Sequence, residues 1–208
     1  MNLQRFSLGP LGTNCYIVFD EDKNALIFDP GAEAERLIQF MSENNLKPHA
    51  ILLTHAHFDH IGAVDALRKH YEIDVYLHEE EKEWLTEPEL NRSVLSLPES
   101  ISTEAPNHLL VPGELVIGPF QLQVIHTPGH SPGSVTFIFH DYGFIISGDV
   151  LFQQGVGRTD LPGGSFEVLV HSIQEKLYQL PDNFRVFSGH GEETNIGYEK
   201  QFNPFVSE

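Results

Sequence analysis

Thr54-His55-Ala56-His57-Phe58-Asp59-His60 sets four metal-capable side chains within six residues, directly after the apolar run Ala50 to Leu53. A strand that ends there turns its backbone and can aim neighbouring side chains inward. Imidazole and carboxylate together suit zinc, iron or manganese, and the absence of thiolate argues for an open catalytic site over a closed structural one. Asp59 has a second reading, as a helix N-cap before Ile61.

The chain around this run alternates strands and helices. Asn14 to Phe19 and Ala25 to Phe28 are β-rich runs separated by the polar cluster Asp20-Glu21-Asp22-Lys23-Asn24, which predicts a hairpin. Ala34, Leu37, Ile38 and Met41 recur at helical spacing, as do Ile61, Val64, Leu67 and Tyr71. A strand is expected at Val75 to Leu77 and a short helix around Trp84. Residues 86–107 carry three prolines and no clear period, which predicts a loop-rich insertion of the kind that covers a site.

Downstream, Leu115 to Ile117, Phe120 to His126, Ser134 to Phe139 and Phe144 to Ile146 read as four strands of a second sheet. Phe166, Leu169, Val170, Ile173, Leu177 and Leu180 predict a helix ended by Pro181, and Arg185 to Phe187 a last strand. The pattern is layered α/β, read as a single domain over residues 1–208.

Three further candidate ligands stand at strand ends beside glycine: His130 after Pro128-Gly129, Asp149 after Ser147-Gly148, and His190 within Ser188-Gly189-His190-Gly191. Glycine permits sharp turns and close backbone approach, so each strand can deliver one ligand to a common edge. The isolated histidines His49, His70, His78, His108, His126, His140 and His171 read as structural. So does the single cysteine, Cys15, as a small core residue in a strand.

Twelve Lys and Arg against thirty Asp and Glu give a formal charge of −18, a field that repels phosphate backbones and anionic lipid. Nucleic acid and membranes are therefore poor partners. The lone cysteine excludes an internal disulfide, and the opening Met-Asn-Leu-Gln-Arg-Phe-Ser has no signal-peptide core, so a cytoplasmic location is expected. No window reaches the roughly 18 apolar residues of a spanning helix.

With seven candidate ligands in place, the chain resembles the metallo-β-lactamase superfamily, marked by a His-x-His-x-Asp-His run followed by later His, Asp and His ligands. The resemblance implies the four-layer αββα sandwich of that family, two mixed sheets flanked by helices. Carried over position by position, it implies that His55, His57 and His130 hold one divalent ion, that Asp59, His60 and His190 hold a second, and that Asp149 bridges them. Zinc is the expected metal, with iron or manganese as alternatives.

Gly148-Asp149-Val150-Leu151-Phe152 with Gly155-Val156-Gly157-Arg158 is similar to the glyoxalase II branch, the hydroxyacylglutathione hydrolases. Arg158 to Gly164, and the tail from Gly189 to Phe205, resemble its short bacterial members, which lack the C-terminal helical domain of the longer enzymes. The implied reaction is hydrolysis of a small-molecule thioester such as S-lactoylglutathione by a metal-bridged hydroxide, with Asp59 and Asp149 positioning the nucleophile. The same branch implies that Arg158 contacts the thiol moiety, although Arg158 also reads as an ordinary surface cation. Two alternatives stay open: an iron persulfide dioxygenase, whose branch also shows a Gly-x-Gly-Arg-Thr-Asp segment, and a non-catalytic regulatory module.

Overall fold

The computed structural model describes residues 1–207, which form two compact units. The first comprises Met1–Leu110 with Ile117–Phe120, and the second Val111–Val116 with the chain from Gln121 onward.

The first unit runs β1 (Asn2–Leu8), β2 (Thr13–Phe19), β3 (Asn24–Phe28), α1 (Ala34–Glu43), β4 (Lys47–Leu52), α2 (Phe58–Ile61), α3 (Val64–Tyr71), β5 (Asp74–His78), α4 (Ser93–Ser96) and β6 (His108–Leu110). Its sheet keeps the order β1 to β6. The first three strands are antiparallel, with Tyr16 opposite Phe28 in the expected hairpin, and β3 through β6 are parallel. Parallel neighbours need crossovers, which α1 and α3 supply. Alternate residues Cys15, Ile17, Ile27, Ile51 and Val75 pack with Leu37, Met41, Val64 and Leu67 in one core. Each such side chain, fully buried, stabilises by about 1.5–3 kcal/mol. The intervening Tyr16, Val18, Leu26 and Phe28 are buried as well, so both faces of these strands are covered.

Two expectations are corrected in this unit. The short helix expected around Trp84 is a single 3₁₀ turn just before it, Glu79–Glu81, which continues in hydrogen-bonded turns such as Trp84 N to Glu81 O and carries Trp84 and Leu85 into the core. The helix expected from Ile61 starts at Phe58, breaks at Gly62 and resumes at Val64. A Cβ at Gly62 would lie 2.3 Å from the Gly31 carbonyl oxygen, so only glycine fits at the break.

The second unit contains β7 (Gly113–Ile117) and β8 (Phe120–His126) apart from Ile117 and Phe120, then β9 (Val135–Phe139), β10 (Phe144–Gly148), β11 (Leu151–Phe152), β12 (Gly155–Val156), α5 (Phe166–Ser172), β13 (Arg185–Ser188), β14 (Thr194–Asn195) and α6 (Ile196–Phe202). Its main sheet has the order β14-β13-β10-β9-β8-β7. Strands β10 and β13 are parallel, while β8 with β9, β9 with β10, and β13 with β14 are antiparallel. Ser165 caps α5 by accepting from Val168 N, and helical turns continue past Ser172 with wider bonds such as Tyr178 N to Ile173 O. Leu169, Ile173 and Leu177 thereby meet Ile138, Ile145 and Val186 in the core. Among the described residues no helix is long and apolar enough to cross a membrane.

Candidate functional site

In the first unit the ligand run leaves the buried end of β4, where Ala50, Ile51 and Leu52 are fully covered. Two buried carboxylates hold it. Asp29, just past β3, accepts from Thr54 N at 2.8 Å and from the Thr54 hydroxyl at 2.7 Å. Glu81 accepts from Ala56 N at 2.6 Å. At Gly31 an added Cβ would stand 1.7 Å from the Asp59 carbonyl oxygen, so only glycine lets α2 pack there.

The three histidines of the run are buried side by side. The rings of His55 and His57 lie 4.8 Å apart, those of His55 and His60 4.1 Å apart. Their protons can be assigned from their partners. The Thr54 hydroxyl gives its hydrogen to Asp29, so it accepts from His55 Nδ1 at 3.1 Å, which makes Nε2 the unprotonated ring nitrogen of His55. His60 Nδ1 sits 3.1 Å from Asp29 Oδ2, which directs His60 Nε2 toward Asp59 Oδ2 at 3.6 Å. Asp59 Oδ2 accepts from the Thr13 hydroxyl at 2.7 Å. The N-cap reading of Asp59 does not hold: His57 occupies that position, and Asp59 lies within α2.

The insertion at 86–107 is fastened to this run. Phe58 N donates to the Asn91 carbonyl at 2.9 Å, and the buried Asn91 side chain donates to the carbonyls of Trp84 and Ile101 at 2.9 Å each.

In the second unit the ligands come from three separate loops. Gly148 is paired with Ser188 across β10 and β13, after a register shift between Ile146 and Gly148, and Gly189 N donates to Gly148 O at 2.8 Å. The two parallel strands therefore end together, delivering Asp149 and His190 to one edge. His130 reaches it from the turn before β9, where Gly129 has φ 131 and a Cβ would fall 2.3 Å from Leu169 N. Gly148 also has positive φ; beside His190 it is Gly191, not Gly189, that does.

Asp149 Oδ2 faces His130 Nε2 at 3.6 Å and His190 Nε2 at 3.4 Å. These are ion-pair distances for protonated imidazoles. They also match the spacing of about 3.4 Å between ligands held about 2.1 Å from a tetrahedral ion. His130 Nδ1 donates to the Arg158 carbonyl at 2.8 Å, which frees Nε2 for a metal. The donor set in each unit thus fits a divalent cation of the zinc, iron or manganese class. Gly157 lets the segment pass this close: its Cβ would be 1.9 Å from the Asp149 carbonyl oxygen.

The Arg158 guanidinium is exposed and makes two 2.7 Å bonds to Asp160, which hold the Asp160 carboxyl down at about 2. Cys15 is fully buried, and desolvation pushes its thiol well above the ordinary range, as befits a core residue. His49, His108, His126 and His140 are tied to Asn24, Asp74, the Pro132 carbonyl and Gln123 respectively. The sequence reading did not single out Asp29, Glu81 or Thr13. Asp29 had a signal, as an acid at a strand end before Pro30-Gly31; Glu81, third of three consecutive glutamates, had none.

Residues 8–190 match the metallo-β-lactamase superfamily, through both units. A probable metallo-hydrolase of Bacillus subtilis, YqgX, is 49% identical over the whole chain and 98% of its own length. The hydroxyacylglutathione hydrolase GloC of Haemophilus influenzae is 40% identical over the whole chain and 99% of its own length. Among solved structures, the BLEG-1 B3 metallo-β-lactamase superposes with TM-score 0.97 at 49% identity, each chain covered fully. TTHA1623 in a di-iron-bound form superposes with TM-score 0.88 at 38% identity, over 98% of this chain and 100% of the other. The chain has the α/β metallo-β-lactamase fold, with mixed sheets and helices, and belongs to the metallo-β-lactamase superfamily.

Proposed function

We propose that this member of a metallo-hydrolase superfamily is a binuclear metal-dependent thioester hydrolase of the glyoxalase II-like short bacterial branch. Its substrate is S-(2-hydroxyacyl)glutathione, such as S-lactoylglutathione, or a related acyl-thiol. His55, His57 and His130 would hold one divalent ion and Asp59, His60 and His190 the other, with Asp149 shared between the two sets. The observation that carries this reading is the single Asp149 oxygen facing two imidazole nitrogens at 3.6 and 3.4 Å. Kinship with GloC supports an acyl-thiol substrate, and the di-iron form of TTHA1623 supports two metals.

Two zinc ions, or iron or manganese in their place, when bound supply acidified water and Lewis-acid polarisation of an acyl carbonyl. The protein does the rest. Asp59, its Oδ2 fixed by the Thr13 hydroxyl, orients the attacking water and accepts its hydrogen bond. The Arg158 carbonyl keeps His130 in its ligating tautomer, and the Asp29 carboxylate stands beside His60 Nδ1 at 3.1 Å. The Arg158 side chain attracts the anionic thiol by exchanging the Asp160 carboxylate for one on the substrate. The departing thiol, with a free pKa of about 8.5, leaves as thiolate without a dedicated acid.

Chelation abolishes S-lactoylglutathione cleavage and restored metal recovers it. A folded, metal-loaded protein that cleaves no thioester overturns the proposal. β-Lactam hydrolysis is the second reading, favoured by the 49% identity to BLEG-1, and a chromogenic cephalosporin tests it on the same sample. Oxygen uptake with glutathione persulfide would mark a dioxygenase instead.

A further inference from the structure

Within the first unit a cavity of about 320 Å³ opens onto Asp59. One wall is the turn joining β1 to β2, with Leu8, Pro10 and Leu11; Phe58 lies beside it; Leu97 and Ile101, from the 86–107 insertion, form the other wall. Both walls are preformed. The turn is held by Gly9 N donating to Glu33 at 2.8 Å and by the Ser7 hydroxyl donating to Gly12 O at 3.1 Å. The insertion is held by Asn91, whose side chain donates to the Ile101 carbonyl at 2.9 Å.

The charge of the lining discriminates among occupants. Thr13, Glu33 and Asp59 are its polar side chains, and no lysine or arginine lines it among the described residues. Glu33 is already engaged by Gly9 N and Arg36, and Asp59 by the Thr13 hydroxyl, so a carboxylate at the end of an acyl chain would lose its water against apolar walls and find no cation of its own, which is unfavourable. An uncharged aliphatic chain would instead cover Leu11, whose side chain is otherwise left half in water. A hydroxyl beside the acyl carbonyl could donate to either carboxylate.

We propose that this cavity receives the acyl side chain of the substrate and selects uncharged, apolar acyl groups over those ending in a carboxylate. The inference rests on the thioesterase reading. It assigns the 86–107 insertion a role as one wall of the acyl subsite.

The test compares acetyl, butyryl, hexanoyl and succinyl thioesters of glutathione on the metal-loaded full chain. Expected is a rise in kcat/KM of about fourfold per buried methylene until the cavity is filled. Succinyl falls at least about tenfold below butyryl. Leu11→Ala, at an exposed turn, and Ile101→Ala lower the butyryl-to-acetyl ratio, while Ile101→Trp fills the space and inverts it. Equal rates across the series, or ratios unmoved by these variants, overturn the assignment and leave the thioesterase standing. A readout independent of turnover separates the two claims: butyramide and succinamate titrated into ¹⁵N-labelled protein. Butyramide shifts the backbone amides of Gly9, Leu11, Leu97 and Ile101, and succinamate does not. No shift with butyramide, or the same shifts with both, overturns the assignment even if no thioester is cleaved.

Discussion

The two units build their ligand sets by opposite means. In the first, four ligands follow one another along a single turn, and buried acids, Asp29 and Glu81, hold that turn by its backbone and its Thr54 hydroxyl. In the second, His130, Asp149 and His190 are distant in sequence and meet because β10 and β13 end in register and because Gly129 and Gly157 admit close packing. The first set depends on charge and hydrogen bonding, the second on strand register and absent side chains. Substitutions should therefore fail differently: loss of metal affinity in the first unit, loss of fold stability in the second. The exceptions are the ligands themselves, His130, Asp149 and His190.

Asp149→Ala is the largest expected effect, because it removes the oxygen that both His130 and His190 face. Activity falls by about 10³-fold, and metal analysis finds fewer than two ions per chain. Two ions retained in this variant would contradict the bridging role.

Asp29→Asn breaks the comparison from the other side. The amide keeps the shape and tolerates the positive φ of 49 at this position, but it lacks the charge that holds His60 Nδ1 and the Thr54 hydroxyl. Metal affinity, measured against a competing chelator, should drop about 10- to 100-fold, while the melting temperature of the metal-free protein changes little. A large loss of apo stability with unchanged affinity would make Asp29 a folding residue only.

Gly157→Ala tests the second unit's reliance on close packing. Its Cβ, 1.9 Å from the Asp149 carbonyl oxygen, forces the backbone apart. Destabilisation of about 2–4 kcal/mol is expected in urea unfolding, with the apo protein affected as strongly as the metal-loaded one.

This division also explains what could be read before any coordinates. A run such as His55 to His60 is local, so its spacing alone announces a ligand set. His130, Asp149 and His190 were visible only through glycine contexts and family likeness, since strand register is a long-range property. Asp29 carried a weak signal, a strand-end acid before Pro30-Gly31, whereas nothing in Glu79-Glu80-Glu81 tells which glutamate turns inward. The main strands and helices followed from periodicity. The first strand did not, because Asn2–Leu8 mixes polar and apolar residues as an edge strand does. Trp84 misled for a related reason: burial of one large side chain needs only a turn.

The smallest expected effect concerns Arg158, whose backbone and side chain divide along the same line as the two units. Its carbonyl positions His130, while its guanidinium stands in solvent paired with Asp160. If that pair competes with the substrate's anion, Asp160→Asn lowers KM for glutathione thioesters a few-fold with kcat unchanged. Thioesters of an uncharged thiol show no gain. The pH dependence follows from the depressed Asp160 carboxyl. With a folded value near 2, set first by the Arg158 hydrogen bonds, the pair is fully formed above the ordinary carboxylate range and is lost only as pH falls through about 2. The wild-type KM should therefore show no Asp160 titration between pH 5 and 9, a window taken from that value. A KM that is the same in both proteins would place Arg158 outside the substrate's reach and leave its carbonyl, through His130, as its one contribution to the site.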